Sequence, residues 1–253
     1  MINLARLALL APALALAMGA RADTIKVLTA GAFKQVIEAV KPGFEAKTGH
    51  KIEYANDTAG ALQKRVAGGE AFDVLVVTPV VMTALASGGA IDSASVSAIA
   101  KVGIGVAVKA GAPLPRIDTV DEFRRSMLAA RAVAHSDPAT GGTTGVYLVG
   151  VFQRLGIADA MRAKAVLVSG TFAAEKILTG EADLALQPIS ELLPVKGTVV
   201  VGPLPESLQL WTTYSGAISA RAAHRQAAND FLAALKSPEM ATLLRDKGML
   251  SAN

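Results

Sequence analysis

Short apolar runs alternate with amphipathic helical stretches along most of the chain, and this alternation limits the possible folds more than any other feature. Asp73-Val74-Leu75-Val76-Val77 is a continuous, mostly β-branched run, typical of a strand buried on both faces of a parallel sheet. After a strand candidate at Ile25–Leu28, apolar residues recur at helical spacing: Phe33, Val36, Ile37, Val40 and Phe44. The pattern predicts an α/β fold in which mostly parallel sheets are flanked by helices.

Two longer strand-like runs, Gly103–Lys109 and Leu208–Ser219, bracket the middle third of the chain. A middle segment that is entered once and left once predicts two lobes joined by two hinge strands, with a cleft between them. We expect lobe I to comprise residues 23–103 plus 209–253, and lobe II to comprise residues 104–208.

The first residues carry the three parts of a secretory signal peptide. Arg6 makes the start positive, Leu7–Met18 is apolar, and Ala20-Arg21-Ala22 offers small residues two positions apart. The apolar run is shorter than the roughly 20 residues that a membrane-spanning helix needs. We expect residues 1–22 to be a cleaved signal peptide and the mature protein to be periplasmic.

Composition excludes several classes of function. The chain has no cysteine, which rules out thiol nucleophiles, thiolate metal sites and iron–sulfur ligation. Removing the leader takes away two arginines and no acid, so the formal charge falls from +4 to +2. The basic residues are scattered and there are few aromatic ones, whereas nucleic-acid binding needs a clustered cationic surface. We therefore expect no nucleic-acid partner.

Catalytic signatures are also missing from the sequence. The three histidines, His50, His135 and His224, lie far apart, and no nucleophile-elbow, P-loop or complete dinucleotide-binding motif occurs. The sequence thus predicts a protein that is not an enzyme, with no metal and no cofactor. An exported enzyme on the same two-lobed fold remains the alternative, and it would show turnover and a titrating group in the cleft.

Four small, hydroxyl- or glycine-rich turns each follow a strand candidate. Helix N-termini present unpaired N–H groups and a positive dipole end, so turns of this kind meeting across a cleft would cradle an anion. Each could instead be an ordinary cap or tight turn. The four turns are Thr29–Ala32, Asp57–Gly60, Thr140–Gly145 and Ser169–Thr171, with Thr144 and Thr171 as predicted helix caps.

At these turns the chain resembles the periplasmic molybdate-binding proteins, which have the type II periplasmic-binding fold. The match runs from about Lys26 to Met249, and the order and spacing of its segments are more specific than any one of them. The matching segments include Val27–Gly49, Gln63–Gly69, Phe72–Val74, Asp137-Pro138, Gly145–Tyr147, Lys176–Leu186 and Ser237–Glu239. The resemblance implies two α/β lobes, binding in the cleft and delivery to a membrane permease.

The resemblance also implies where a ligand would bind. The family's side-chain donors fall on Ala32, Ala59 and Pro188, so those hydroxyls are absent, whereas Thr144 and Gly170 correspond to backbone donors. Thr29, Thr58, Thr143 or Gln187 could supply substitutes. The expected ligand-binding residues are Gly31, Ala32, Thr58, Ala59, Thr143, Thr144, Gly170, Thr171 and Gln187.

The combined prediction is the extracytoplasmic solute-binding protein of an ABC-type uptake system. It would bind a small anion, work as a monomer and hand its solute to a permease in the membrane. The ligand stays open between a molybdate- or tungstate-like oxyanion and an organic carboxylate, which Lys34 would favour. A periplasmic sensor subunit is the alternative role.

Overall fold

The computed structural model describes residues 22–252, so the predicted signal peptide lies outside the described residues except for Ala22. The strands are β1 Thr24–Ala30, β2 Lys51–Asp57, β3 Val74–Val77, β4 Ser97–Lys109, β5 Val133–Ser136, β6 Ala165–Val168, β7 Leu184–Pro188, β8 Thr198–Pro203, β9 Trp211–Ile218 and β10 Leu250–Ser251. The helices are α1 Lys34–Thr48, α2 Ala59–Ala67, α3 Pro79–Ser87, α4 Val120–Ala129, α5 Thr143–Arg154, α6 Ala158–Ala163, α7 Glu175–Leu178, α8 Ile189–Leu192, α9 Arg225–Leu235 and α10 Met240–Asp246. Short 3-10 turns cover Gly31–Phe33, Ser93–Ser95, Pro138–Thr140 and Glu206–Leu208.

Within the described chain these strands join in the order β2-β1-β3-β9-β4-β7-β5-β6, with β8 and β10 also paired to β4. Strands β1, β2 and β3 are mutually parallel, and so are β5, β6 and β7. Strands β4 and β9 run antiparallel to their neighbours and connect the two parallel groups. The predicted α/β architecture of two lobes with mostly parallel sheets is confirmed.

The directions of the strands decide where the functional end of each group lies. Strand β3 is antiparallel to β9, and β9 is antiparallel to β4, so the first parallel group runs in the same direction as β4. Strand β7 is antiparallel to β4, so the second group runs the opposite way. The carboxyl ends of both groups consequently point toward the junction between the lobes, where ligands bind in open α/β sheets.

The junction itself departs from the predicted hinge strands. Strand β4 begins at Ser97, and its first half pairs with β9 while its second half pairs with β7 and β8. The predicted run Leu208–Ser219 is interrupted, because β9 starts only at Trp211. The Gln209 side chain accepts a hydrogen bond from the Ile104 N–H (2.8 Å) and donates one to the Ile104 carbonyl oxygen (2.9 Å), as a neighbouring strand would. The lobe boundaries drawn from the sequence stay a prediction.

Each lobe has its own hydrophobic core. Successive residues of β1 face opposite sides, as a strand requires, so Val27 packs with Phe33 and Phe231 while Leu28 packs into a separate cluster around Leu62. In lobe II the largest cluster surrounds Phe123. Because both faces of the sheets are covered, the turns at the strand ends are held on rigid supports.

Gly145, in the first turn of α5, packs against the end of β5. A Cβ at this position would collide with the Ser136 carbonyl group, which is backbone and cannot rotate away. We predict that Gly145→Ala destabilises the protein by about 1–3 kcal/mol, as overpacking does. Gly43→Ala is the control, because Gly43 lies in α1 with nothing within 4 Å of the added carbon. Urea denaturation should show Gly43→Ala equal to or more stable than the wild type; equal stability of both variants would contradict this packing.

Candidate functional site: a cavity at the meeting point of the strand ends

A cavity of about 250 Å³ lies where the carboxyl ends of β1, β2, β5, β6 and β7 meet. Elements of both lobes line it, so it occupies the predicted cleft. The nine residues predicted to bind ligand all line this one cavity: Gly31, Ala32, Thr58, Ala59, Thr143, Thr144, Gly170, Thr171 and Gln187. Their contact with a ligand remains a prediction.

The N-terminus of α5 reaches the cavity without a side-chain cap. Gly142 precedes the helix, and no side chain accepts a hydrogen bond from the amides of its first turn. The helix begins at Thr143, one residue before the predicted cap, which places Thr144 inside the first turn. The hydroxyls of Thr143 and Thr144 have no hydrogen-bond partner within residues 22–252, so they remain available to a ligand.

The predicted cap at Thr171 is wrong. The next helix, α7, begins only at Glu175, and the Ala174 that precedes it makes no side-chain cap. The left-handed backbone of Gly170 (φ +70°) turns the chain after β6 and leaves Thr171 on the cavity wall. This turn therefore contributes a loop, and not a helix N-terminus, to the site.

The Thr58 hydroxyl is hydrogen-bonded to the protein at the edge of the cavity and is not free for a ligand. The hydroxyl accepts a hydrogen bond from the Ala61 N–H (3.1 Å) as the cap of α2, and it donates to the Thr140 carbonyl oxygen (2.8 Å). Beside this bond Gly60 and Gly141 touch, since a Cβ on Gly60 would lie 3.3 Å from the Gly141 Cα. Thr58 thus ties the two lobes together, and its single proton is already used.

Gln187 is also committed to the fold. Its side-chain oxygen accepts a hydrogen bond from the Ala173 N–H (2.6 Å), and its nitrogen donates to the Thr171 carbonyl oxygen (3.1 Å) and lies 3.4 Å from the Ser136 hydroxyl. These contacts fix the turn after β6 against the end of β7. Gln187 supports the cavity wall, and its amide is already engaged with the protein beside Pro188.

Glu191, the most unusual residue in the cavity, was not among the site residues predicted from the sequence. It lies on α8, directly after β7, and within the described chain it has no hydrogen bond or ion pair. The surface that the residue retains lies on the cavity wall, and removal of the carboxyl from bulk solvent raises its pKa to about 7. Like the predicted turns, Glu191 follows the end of a strand, so the same positional rule applies to it.

Two further contacts position Glu191 between the lobes. The Ser190 hydroxyl donates a hydrogen bond to the Ala32 carbonyl oxygen (2.7 Å), which ties α8 to the 3-10 turn of lobe I. Tyr214 on β9 lines the same cavity, and burial together with the nearby Glu191 carboxyl raises the pKa of its phenol. The Tyr214 hydroxyl therefore stays protonated.

Lys34 is the one positively charged residue among those that line the cavity. It is the first residue of α1, and its ammonium nitrogen lies 3.6 Å from Glu38. Of the acids on the wall, Asp57 is paired with Arg65 at 3.3 Å and Glu175 is exposed. Residues 22–252 contain no acid or histidine cluster that could hold a metal ion, and none of their helices is long and apolar enough to cross a membrane.

A two-lobed α/β structure with an interlobe cavity at the strand ends is the architecture of the type II periplasmic-binding fold. Accordingly, the chain belongs to the bacterial extracellular solute-binding protein family, whose model matches residues 25–250.

Similar proteins have been described both as receptors and as an enzyme. The chain is 33% identical over 232 residues to an aconitate isomerase from Pseudomonas sp., covering 89% of this chain and 87% of that protein. The periplasmic molybdate-binding protein of Azotobacter vinelandii shares the fold with a TM-score of 0.76 and 19% identity, covering 89% of this chain and 98% of that one. PEB3 of Campylobacter jejuni, solved with L-phospholactate bound, has a TM-score of 0.68 at 14% identity and covers 89% and 99%.

These comparisons confirm the predicted resemblance to the molybdate-binding proteins and the coarse role of an extracellular solute-binding protein. The prediction that the chain is not an enzyme agrees with the structural neighbours, which are binding proteins. It is not confirmed, because the relative at 33% identity is described as an isomerase.

Thr58→Val should destabilise the ligand-free protein by about 1–3 kcal/mol, since it removes a helix cap and the bond to Thr140. Thr143→Val removes a hydroxyl without a protein partner and should change stability by less than about 0.5 kcal/mol. Thermal unfolding of both variants tests this difference. Equal losses would mean that the Thr58 hydrogen bonds contribute nothing.

The raised pKa of Glu191 predicts a pH-dependent stability. The folded protein holds this proton more tightly than the unfolded chain, whose glutamate has a pKa of 4.5. The stabilising contribution is therefore complete below pH 4.5 and is lost as the pH rises through about 7. Between pH 4.5 and pH 8 the free energy of unfolding of the wild type should fall by up to about 3 kcal/mol relative to that of Glu191→Gln.

Glu175→Gln is the matched control for this measurement, because Glu175 lines the same cavity but is exposed. Denaturation curves for the three proteins at several pH values give the comparison. Parallel pH profiles for the wild type and Glu191→Gln would contradict the assignment of an unpaired carboxyl that is shielded from bulk solvent.

Proposed function

We propose that the chain is an exported solute-binding protein that takes a small organic polycarboxylate into the interlobe cavity. The observation that carries this proposal is the composition of the cavity wall. At the three positions where the molybdate-binding family has side-chain donors, this chain has Ala32, Ala59 and Pro188. Each lost hydrogen bond to a buried charged ligand weakens binding by roughly 1.5–3 kcal/mol.

The replacement residues suit a ligand with a carbon skeleton. Together with Phe172, the two alanines and Pro188 add apolar side chains to the wall, and these cannot solvate the oxygens of a tetrahedral oxyanion. A volume of about 250 Å³ also holds roughly eight water molecules at ~30 Å³ each, far more than one such oxyanion displaces.

The polar groups on the cavity wall suit a carboxylate ligand. Thr143, Thr144 and Asn56 offer groups without protein partners, and Lys34 supplies positive charge. Below pH 7 Glu191 is mostly protonated, so that it can donate a hydrogen bond to a ligand carboxylate without repelling it. The related proteins support this chemistry, since one is named for aconitate, a tricarboxylate, and another was solved with L-phospholactate.

The cellular role follows from the family and from the leader. A periplasmic location is supported by the signal-peptide pattern of residues 1–22, and delivery to an ABC permease is the usual task of such receptors. The mature chain would act as a monomer that closes over its ligand. A sensor subunit with the same cavity would differ only in its partner.

A second candidate function is isomerisation of the bound carboxylate. The specific observation in its favour is the unpaired Glu191, a titrating group within the cleft, which the sequence analysis set as the mark of an enzyme on this fold. The relative described as an aconitate isomerase supports the same activity.

A thermal-shift panel on the mature chain tests the proposed ligand class. We expect citrate, cis-aconitate or trans-aconitate to raise the melting temperature, because a ligand at 100 times its Kd adds about 2.7 kcal/mol to stability. Molybdate, tungstate and sulfate should give little shift at the same concentration. Stabilisation by molybdate and tungstate alone would refute the carboxylate proposal.

Thr143→Val should reduce the rise in melting temperature that a carboxylate causes, without changing the melting temperature of the ligand-free protein.

A further inference from the structure

We propose that Glu191 is the catalytic residue that moves a proton between two carbon atoms of a bound unsaturated polycarboxylate, and so shifts its double bond. This inference rests on the proposed binding of a carboxylate in the same cavity. It names the reacting group and the kind of substrate that the group requires.

The position of Glu191 is the first argument. Its carboxyl lies against the Gly31 backbone, where an added Cβ would be 3.0 Å from the Glu191 Oε1. The bond from the Ser190 hydroxyl to the Ala32 carbonyl oxygen fixes α8 in this place. The acid therefore stands at the junction of the two lobes, on the wall of the cavity that would enclose a ligand.

The absence of a partner is the second argument. A carboxyl shielded from solvent is normally paired or hydrogen-bonded, since leaving it unpaired costs free energy. Within residues 22–252 Glu191 has neither kind of partner, whereas Asp57 is paired with Arg65 and Glu70 with both Lys26 and Arg65. The fold thus leaves this acid unneutralised at a position shielded from bulk solvent, whereas Glu175, the other unpaired acid on the wall, is exposed.

The pKa of Glu191 suits a residue that both takes up and returns a proton. With a pKa of about 7, Glu191 is populated in both forms near neutral pH, as a group that takes up and returns a proton must be. The charged and titratable groups on the surrounding wall are Lys34, Asp57, Glu175 and Tyr214. Of these, Tyr214 stays protonated and can donate a hydrogen bond, and Lys34 can stabilise negative charge.

The reaction needs only these groups. The ionised Glu191 takes a proton from a methylene carbon that lies between a carboxylate and a carbon–carbon double bond. The electron pair of that C–H bond becomes the new double bond, and the electrons of the old one pass onto the carboxylate at its far end as a dienolate. Protonated Glu191 then returns the proton to the far carbon, so the product is an isomer and no oxidant, water or cofactor is consumed.

The substrate class follows from this chemistry. The ligand must carry a methylene group with a carboxylate on one side and a double bond on the other, and a second carboxylate at the far end of that double bond, because these groups delocalise the electron pair that the departing proton leaves behind. Saturated polycarboxylates such as citrate would bind without reacting. They are therefore inhibitors of the reaction and useful controls for binding.

Proton NMR of cis- and trans-aconitate in D₂O, with the mature chain at pD near 7, tests the inference. The wild type should interconvert the two isomers and exchange their methylene protons for deuterium. Glu191→Gln should still show a melting-temperature shift with citrate, but should lose conversion and exchange by at least about 100-fold. Glu175→Gln, which removes an exposed acid of the same cavity, should retain both. The wild-type rate should follow an apparent pKa near 7 that is absent from any residual rate of Glu191→Gln.

The failures of the two proposals are distinguishable. Binding of citrate and aconitate without conversion or exchange would overturn the inference and leave the receptor function standing. Full activity in Glu191→Gln would overturn the assignment of Glu191 alone. Failure of every carboxylate to bind the wild type would overturn the proposed function, and the inference with it.

Discussion

The antiparallel pairing of β4 with β9 is the constraint on which the rest of the structure depends. It makes one parallel group of strands run with β4 and the other run against it, so that both groups end at the lobe junction. Five strand ends and the turns that follow them then face one cavity. A sheet whose parallel groups pointed the same way would leave these turns on separate ends of the molecule.

The fold and most cavity positions could be predicted because their signals are local. Aliphatic runs such as Val74–Val77 mark buried strands, and small residues such as those at 140–145 mark the turns that follow them. Glu191 also follows a strand end, but its role could not be predicted, since a single glutamate in a four-residue helix has no sequence signature. Its place beside the Gly31 backbone arises only when α8 docks onto the other lobe, a long-range contact that no periodicity records.

The roles of individual polar residues were the hardest to predict. Thr58 and Gln187 line the cavity as expected, yet the side chains of both are hydrogen-bonded to the protein. Thr58 bonds across the lobes, and Gln187 bonds within lobe II. Thr143 and Thr144 have the same chemistry but no protein partner. Residue type therefore does not separate structural from ligand-binding donors, because the difference depends on which neighbours the folded chain supplies. This dependence on neighbours also explains why only a few of the many polar groups on the cavity wall remain free to bind a ligand.

The central claim is that both groups of strand ends form one carboxylate site with Glu191 inside it. A crystal structure of the mature protein with citrate or aconitate tests this most directly. We predict a ligand carboxylate within about 3.2 Å of both a Glu191 oxygen and the first turn of α5. A ligand bound elsewhere, or a Glu191 side chain turned away and paired with another residue while the ligand occupies the cavity, would contradict the account.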